Sequence, residues 1–142
     1  MSTNNTKRWS TAVHEAAHAI VGTALGMEVV STCVTGPREG MTLTANEARL
    51  TAAVKMALAG MAAEKMMNTG LSEAELLEGA GMDLVFACAM CTPEQMSVAA
   101  RQVSAMLRDM ADALENGACE LHAHGCLSGD QVREMMNHWA ER

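Results

Sequence analysis

Aromatic residues are almost absent from this sequence of 142 residues, which has two tryptophans, one phenylalanine and no tyrosine. Proline occurs only twice, whereas apolar residues, mostly alanine, methionine, leucine and valine, make up 49% of the chain. Strands favour β-branched and aromatic side chains, and helices favour Ala, Met and Leu. The composition therefore predicts a mainly α fold, to which a β-branched stretch after the first predicted helix adds a small β element, and the length predicts a single domain over residues 1–142.

Basic residues are also scarce, since 10 Lys and Arg stand against 17 Asp and Glu, for a net charge of −7. Without a basic run, nucleic acid and anionic membranes are not expected as main partners. The longest apolar run, "LVFACAMC", is far shorter than the roughly 18 residues of a membrane-spanning helix, and the polar start "MSTNNTKRWS" is unlike a signal peptide. We expect a cytoplasmic protein without membrane insertion, whose five cysteines are reduced.

Hydrophobic periodicity and turn residues predict a succession of helices interrupted by one hairpin. The stretch "TPEQ" and the stretch "SGDQ" are each typical of a helix start with a capping box. The residues between "TPEQ" and Gly125 favour one long helix, which Asn116-Gly117 weakens. The predicted elements are a helix over 7–25, two short strands within 27–44, a helix over 46–68, a short helix over 83–91, the long helix from 92, and a last helix from 128.

The stretch "VHEAAHAIVG", residues 13–22, places His14 and His18 four residues apart on the first predicted helix. Residues at this spacing lie one above the other on the same face, so both imidazoles can bind one metal ion. Glu15 lies about 100° round the helix and can take a proton from a water whose pKa zinc lowers to about 7. The pattern indicates the HExxH motif of a zinc peptidase, although such a short pattern also arises by chance.

A catalytic zinc site has three protein ligands and one open position. The sequence offers several candidates for the third ligand: Glu64, Asp83, the C-terminal histidines and several acidic residues. Spacing does not choose among them.

Several further stretches resemble, in the same order, the zinc peptidase domain of the FtsH family of ATP-dependent membrane proteases. "HEAAHAIVG" resembles the family's "HEAGHA" helix, and "EVVSTCVTGPREGMTLT" its strand-turn-strand. "ALAGMAAEKM" is similar to "LGGRAAEEL", "EGAGMDLVFA" to "TTGASNDLQRA", and "LENGACELHAHGCLSGDQVREMM" to the closing "LLE…TLSGDEVREIL" segment. The resemblance covers nearly the whole chain and is much more specific than HExxH alone.

The resemblance implies that His14, His18 and Asp83 bind Zn²⁺ and that Glu15 is the general base of a metalloendopeptidase. It also implies that residues 39–44 form an edge strand to which an extended polypeptide substrate can add; the alternative is that this strand only completes a small sheet. The family's peptidase domains form six-fold rings, so a homo-oligomer is compatible with the resemblance, but the sequence does not indicate the contacts.

The sequence also departs from the family. It contains no GxxxxGK[ST] loop, so we expect it to cleave unfolded or flexible polypeptides, or to depend on a separate ATPase or unfoldase. Met82 and Met61 replace a family Asn and Arg, Ala17 replaces a glycine, and "CTPEQM" replaces a longer segment beside the substrate groove. The alternative function is therefore a catalytically inactive interaction or regulatory module with the same fold.

Two cysteine-containing stretches offer rival sites. "CAMC", Cys88 to Cys91, is a lone CxxC, and its helical spacing favours buried core thiols. Cys119, His122, His124 and Cys126 lie within eight residues and could hold a second metal. The alternative is an ordinary helix end, because Gly125 is typical of a C-cap and histidine is favoured there by the helix dipole.

Overall fold

The computed structural model describes residues 2–45 and 49–140, with side chains as far as residue 137. The chain is mainly helical and carries a small antiparallel sheet, so the predicted α+β class is confirmed. The elements in chain order are α1 (Asn4–Ala24), β1 (Val29–Gly36), β2 (Glu39–Thr44), α2 (Leu50–Met67), α3 (Glu73–Gly79), α4 (Gly81–Met90), α5 (Pro93–Asp109), α6 (Ala111–His124), β3 (Cys126–Ser128) and α7 (Gly129–Ala140).

Helix α1 is the central element of the core. It begins where the Thr3 side chain accepts a hydrogen bond from the Thr6 amide at 3.1 Å, and it ends just before Gly26, whose φ is +84°. Every residue from Ser10 to Gly22 is buried, because α2, α6 and β1 pack around the helix. The amphipathic spacing of the apolar residues alone would place only one face of this helix in the core. Many of the side chains on the other faces are alanines, small enough to let neighbouring elements approach from several sides.

The three strands form a sheet in the order β2-β1-β3, with both pairs antiparallel. The predicted hairpin is confirmed, with Pro37 and Arg38 at its turn, and β2 lies at an edge of the sheet. Strand β3 was not predicted, because it has only three residues. It pairs with β1 directly after the Gly125 turn, where the Val34 amide donates to the Gly125 carbonyl at 2.7 Å.

The expectation that all five cysteines are reduced is wrong for one pair. Cys33 on β1 lies opposite Cys126 on β3 with their Cα atoms 4.2 Å apart, and the two form a disulfide. The strand pairing brings together residues 93 positions apart in the chain. Cys88 is exposed rather than buried, because α4 turns Ala87 toward the core instead; Cys91 is half-buried, and Cys119 is exposed.

The predicted helix starts are confirmed at α5 and α7, where Thr92 with Gln95 and Ser128 with Gln131 form reciprocal capping hydrogen bonds. The long helix predicted from residue 92 toward Gly125 is interrupted at Met110, which separates α5 from α6.

The helix that was predicted over 46–68 corresponds to α2, Leu50–Met67, and is capped by Asn68, which has a left-handed φ of 51°. Its first predicted residues, 46–48, lie outside the described residues, as does the side chain of Trp139 on the last helix. The segment after Gly70, for which an irregular or briefly helical connection was expected, contains the short helix α3. Among the described helices, none is long and apolar enough to span a membrane.

Candidate metal centre

Three predicted ligand residues meet at one point, although they come from two helices. His14 and His18 lie one turn apart on α1, and Asp83 lies in the first turn of α4. The Nε2 atoms of His14 and His18 are each 3.3 Å from Oδ2 of Asp83. One ligand atom from each residue lies within 4.8 Å of the other two, which is compact enough to surround a single metal ion. Both histidines are buried, whereas the Asp83 side chain is 32% exposed, so the group opens to solvent on the side of α4.

The other ring nitrogen of each histidine has a partner of its own. Nδ1 of His14 is 2.5 Å from Oε1 of Glu64, and Nδ1 of His18 is 2.6 Å from the carbonyl oxygen of Met56. Both acceptors lie on α2. Hydrogen bonds from Nδ1 to a carboxylate and to a carbonyl fix the ring orientation and leave Nε2 as the metal-binding atom, which is the arrangement around most metal-bound histidines.

Glu64 is the centre of a buried polar network beneath His14. Its side chain is fully buried, and its second oxygen, Oε2, accepts hydrogen bonds from Ser10 Oγ and, at 3.1 Å, from the Arg38 guanidinium. Arg38 also donates to Thr11 Oγ1 at 3.2 Å, which joins the hairpin turn to α1. A buried carboxylate is stable only when its oxygens are paired in this way. Glu64 therefore contacts His14 from behind and does not face the candidate metal site.

The space for the His14 ring is provided by Gly60 on α2. A Cβ atom on Gly60 would lie 2.4–2.6 Å from three atoms of the ring, so any side chain there collides with the imidazole. The ring is thus held between the backbone of α2 on one side and the Glu64 carboxylate at Nδ1.

These contacts shift the pKa values of the group. Burial lowers the pKa of His14, but hydrogen bonds with Asp83 and Glu64 outweigh it and raise the pKa to about 9. For Asp83 and Glu64 burial acts in the opposite direction and raises the pKa. At Asp83, hydrogen bonds with His14 and His18 outweigh burial, and at Glu64 the contacts with His14, Ser10 and Arg38 together outweigh it, so both pKa values lie below their ordinary range.

Glu15 lies beside this group and not within it. Its carboxylate oxygen Oε1 accepts a hydrogen bond at 2.9 Å from the hydroxyl of Thr42 on β2. His14, Glu15, His18 and Asp83 all line one open cleft of about 560 Å³, which runs between β2 on one side and α2, α3 and α4 on the other. A substrate in this cleft can reach the metal-binding atoms and the Glu15 carboxylate together.

The donor set itself can be tested against the chemistry of metals. Two imidazole nitrogens and one carboxylate oxygen form a mixed N/O set without soft sulfur ligands, and such sets suit zinc and other divalent transition metals. The hydrogen-bonded outer nitrogens and the open side at Asp83 fit a catalytic site. His14, His18 and Asp83 could therefore hold a metal ion.

The structure also separates the candidates that spacing left open. Asp83 joins the two histidines, whereas Glu64, the other named candidate for third ligand, contacts His14 from behind at Nδ1. Thr42 and Arg38 were not identified from the sequence, because only the folded hairpin brings them to Glu15 and Glu64. Their one sequence signal was their place in the hairpin that follows HExxH.

The rival metal site at the end of α6 does not form among the described residues. Cys126 is in the disulfide, His124 forms an ion pair with Glu120 at 3.6 Å, and His122 packs its ring edge-on against Trp9 at 5.7 Å. Among the described residues, the group of His14, His18 and Asp83 is the only one that brings three metal-binding side chains together.

Comparison of the sequence with models of known protein families gives no match, and comparison with curated protein sequences gives none either. The metal-binding geometry is therefore the main evidence on function.

Proposed function

We propose that this chain is a zinc-dependent metalloendopeptidase of the FtsH type, which hydrolyses peptide bonds of unfolded or flexible polypeptides. The observation that carries the proposal is the joint geometry of His14, His18, Asp83 and Glu15 along one open cleft. A metal-storage or structural site has no need of a separate carboxylate held beside the ligands. A hydrolytic site does need one, because water must lose a proton as it attacks.

His14, His18 and Asp83 would bind the zinc ion through Nε2, Nε2 and a carboxylate oxygen. When bound, zinc supplies Lewis-acid chemistry that activates water and polarises a carbonyl group. Glu15 accepts a proton as water adds to the peptide carbonyl carbon, and it delivers that proton to the amine as the C–N bond breaks. Glu64 and the Met56 carbonyl keep the two imidazoles oriented throughout, so no ligand has to reorganise during the reaction.

The cleft is consistent with a polypeptide substrate. Its wall includes the edge strand β2, whose backbone groups on one side are free of β1. An extended chain can add to such an edge by backbone hydrogen bonds, independent of its sequence. A folded protein cannot present its backbone in this way, which favours unfolded or flexible substrates.

The test is peptide hydrolysis by the zinc-loaded protein and by its Glu15→Gln variant. We expect the wild type to cleave casein and quenched fluorescent peptides. The variant should keep its zinc while its rate falls by about 10²-fold to 10⁴-fold, the range for loss of a general base. Glu115→Gln on the exposed face of α6 is the matched control and should be unchanged.

Two results contradict the proposal: a zinc-loaded wild type that cleaves no polypeptide, or a Glu15→Gln variant as active as the wild type. Tight binding of unfolded polypeptide without cleavage by the zinc-loaded wild type favours the interaction module instead.

A further inference from the structure

Strand β2 presents two residues to Glu15 from the same side. Gly40 and Thr42 are two positions apart, so both point to one face of the strand, and both line the cleft. This face of β2 packs against α1, the helix that carries Glu15. Both residues lie against Glu15, which links the strand to the side chain proposed to move the proton.

The Thr42 hydroxyl belongs to a chain of hydrogen bonds. Thr32 on β1 is fully buried, and its Oγ1 lies 2.8 Å from Oγ1 of Thr42. A hydroxyl has one proton to donate. When Thr32 donates to Thr42, the proton of Thr42 is available for Oε1 of Glu15, 2.9 Å away. The hydroxyl oxygens of Thr32 and Thr42 each lie 3.3 Å from the backbone carbonyl oxygen of Glu15. The sheet therefore contacts both the backbone and the side chain of this residue.

Gly40 limits the position of the same side chain. A Cβ atom at position 40 would lie 2.5 Å from Cγ of Glu15 and 3.0 Å from its Cδ. The aliphatic part of the Glu15 side chain therefore rests directly on the backbone of β2. A hydrogen bond at Oε1 and a steric contact at Cγ act on different atoms, and together they restrict the rotation of the carboxylate.

We propose that Thr42 is a positioning residue that holds the Glu15 carboxylate in its catalytic orientation, with Gly40 providing the space that this orientation requires. This inference rests on the proposed peptidase function, in which Glu15 transfers the proton. Thr42 occupies Oε1, which leaves Oε2 as the oxygen that exchanges a proton with the attacking water and the leaving amine. Because β2 is also the strand at which a substrate could add, the same element would align both the peptide and the base.

A purely structural role predicts a different outcome from a positioning role. If Thr42 only fastened β2 to α1, its loss would lower stability and weaken substrate binding, and KM would rise. If it positions Glu15, its loss acts on a step after binding, so kcat falls while KM stays nearly constant. The split between kcat and KM therefore separates the two roles.

The experiment compares three variants of the zinc-loaded full chain on one quenched fluorescent peptide. Thr42→Val removes the hydroxyl but keeps the shape, Thr42→Ser restores the hydroxyl, and Thr35→Val on the exposed part of β1 is the control. A hydrogen bond to a charged group is worth enough to predict a fall in kcat of about tenfold to 100-fold for Thr42→Val. KM should stay within about twofold, and Thr42→Ser should recover most of the lost rate.

A Thr42→Val variant with the kcat of Thr35→Val overturns the inference, and so does a variant whose entire defect lies in KM. Crystal structures of the wild type and of Thr42→Val provide a readout that does not depend on activity. The Glu15 carboxylate should keep its place in the wild type and leave it in Thr42→Val, and an unmoved carboxylate also overturns the inference. A zinc-loaded wild type without cleavage contradicts the proposed function, and the two crystal structures still decide the role of Thr42.

Discussion

Substitution of Gly60 by alanine should disable the candidate metal centre although no ligand residue is replaced. The new Cβ would lie 2.4 Å from Cε1 and 2.5 Å from Nε2 of His14, whereas ordinary contact begins near 3.4 Å. The ring must therefore retreat by about 1 Å, or α2 must shift by a similar amount. Metal-ligand distances vary by only about 0.2 Å in real sites, so a displacement of this size removes His14 from the coordination shell.

Two features of the structure oppose movement of the His14 ring. Its Nδ1 is held by the buried Glu64, and the residues of α1 on either side of it in the chain are buried. Steric overpacking of a well-filled interior usually costs about 1–3 kcal/mol of unfolding free energy. We expect Gly60→Ala to lose at least 100-fold in zinc affinity, the upper end of the effect of disturbing a ligand's support. The stability of the metal-free protein should fall by the amount typical of overpacking.

The assays are zinc titration against a competing chelator and urea unfolding of the metal-free protein. Gly117→Ala is the matched control, because Gly117 also lies inside a helix but a Cβ there meets its nearest neighbour at 3.5 Å, an ordinary contact. That variant should keep its zinc affinity and gain up to about 1 kcal/mol from improved helix propensity. Wild-type zinc affinity in Gly60→Ala would refute the placement of His14 against α2.

Three further predictions concern protonation, the outer contacts of the ligands and the disulfide. Because its partners raise the pKa of His14 from 6.5 to about 9, its protonated form stabilises the metal-free fold below about pH 6.5, and this contribution is lost as the pH rises through 9. The same proton must leave before a metal binds, so zinc affinity measured by titration should rise about tenfold per pH unit between pH 6.5 and 8.5, and a flat profile contradicts this. Glu64→Gln should weaken zinc binding by about 10-fold to 100-fold in chelator competition, and an unchanged affinity would show that the carboxylate does not support His14. Reduction of the Cys33–Cys126 disulfide should lower the unfolding free energy by about 4 kcal/mol, since the disulfide closes a loop of roughly 90 residues. Urea titrations with and without reductant measure this; Cys88→Ser should respond as the wild type does, whereas Cys33→Ser, which cannot form the disulfide, should not respond to reductant.

The local features of the fold were predictable because their causes are local. Helical spacing identified α1, and paired capping residues identified the starts of α5 and α7. The weakness expected at Asn116-Gly117 did not break α6, in which Gly117 is buried and lies next to Ala16 and Ile20 on α1. The interruption at Met110 left no signal, since the apolar stripe continues across it with Met106 and Leu114.

The candidate site was predictable only in part, because some of its contacts are local in the chain and others depend on tertiary packing. The spacing of His14 and His18 is a local property, and it pointed to a shared metal. The choice between Asp83 and Glu64 depends on how α2 and α4 pack on α1, over separations of 50 and 69 residues. Thr42 and the Cys33–Cys126 pair depend likewise on strand pairing that no short pattern encodes.

The central claim is that His14, His18 and Asp83 bind one catalytic zinc ion. The most direct test is the metal content of the purified full chain after reconstitution with zinc, measured by mass spectrometry for the wild type, for Asp83→Ala and for a Cys119→Ala/His122→Ala double variant. The account predicts about one zinc per chain in the wild type and in the double variant, and a loss of tightly bound zinc in Asp83→Ala. A wild type that takes up no zinc, or an Asp83→Ala variant that retains it with undiminished affinity, would contradict the account.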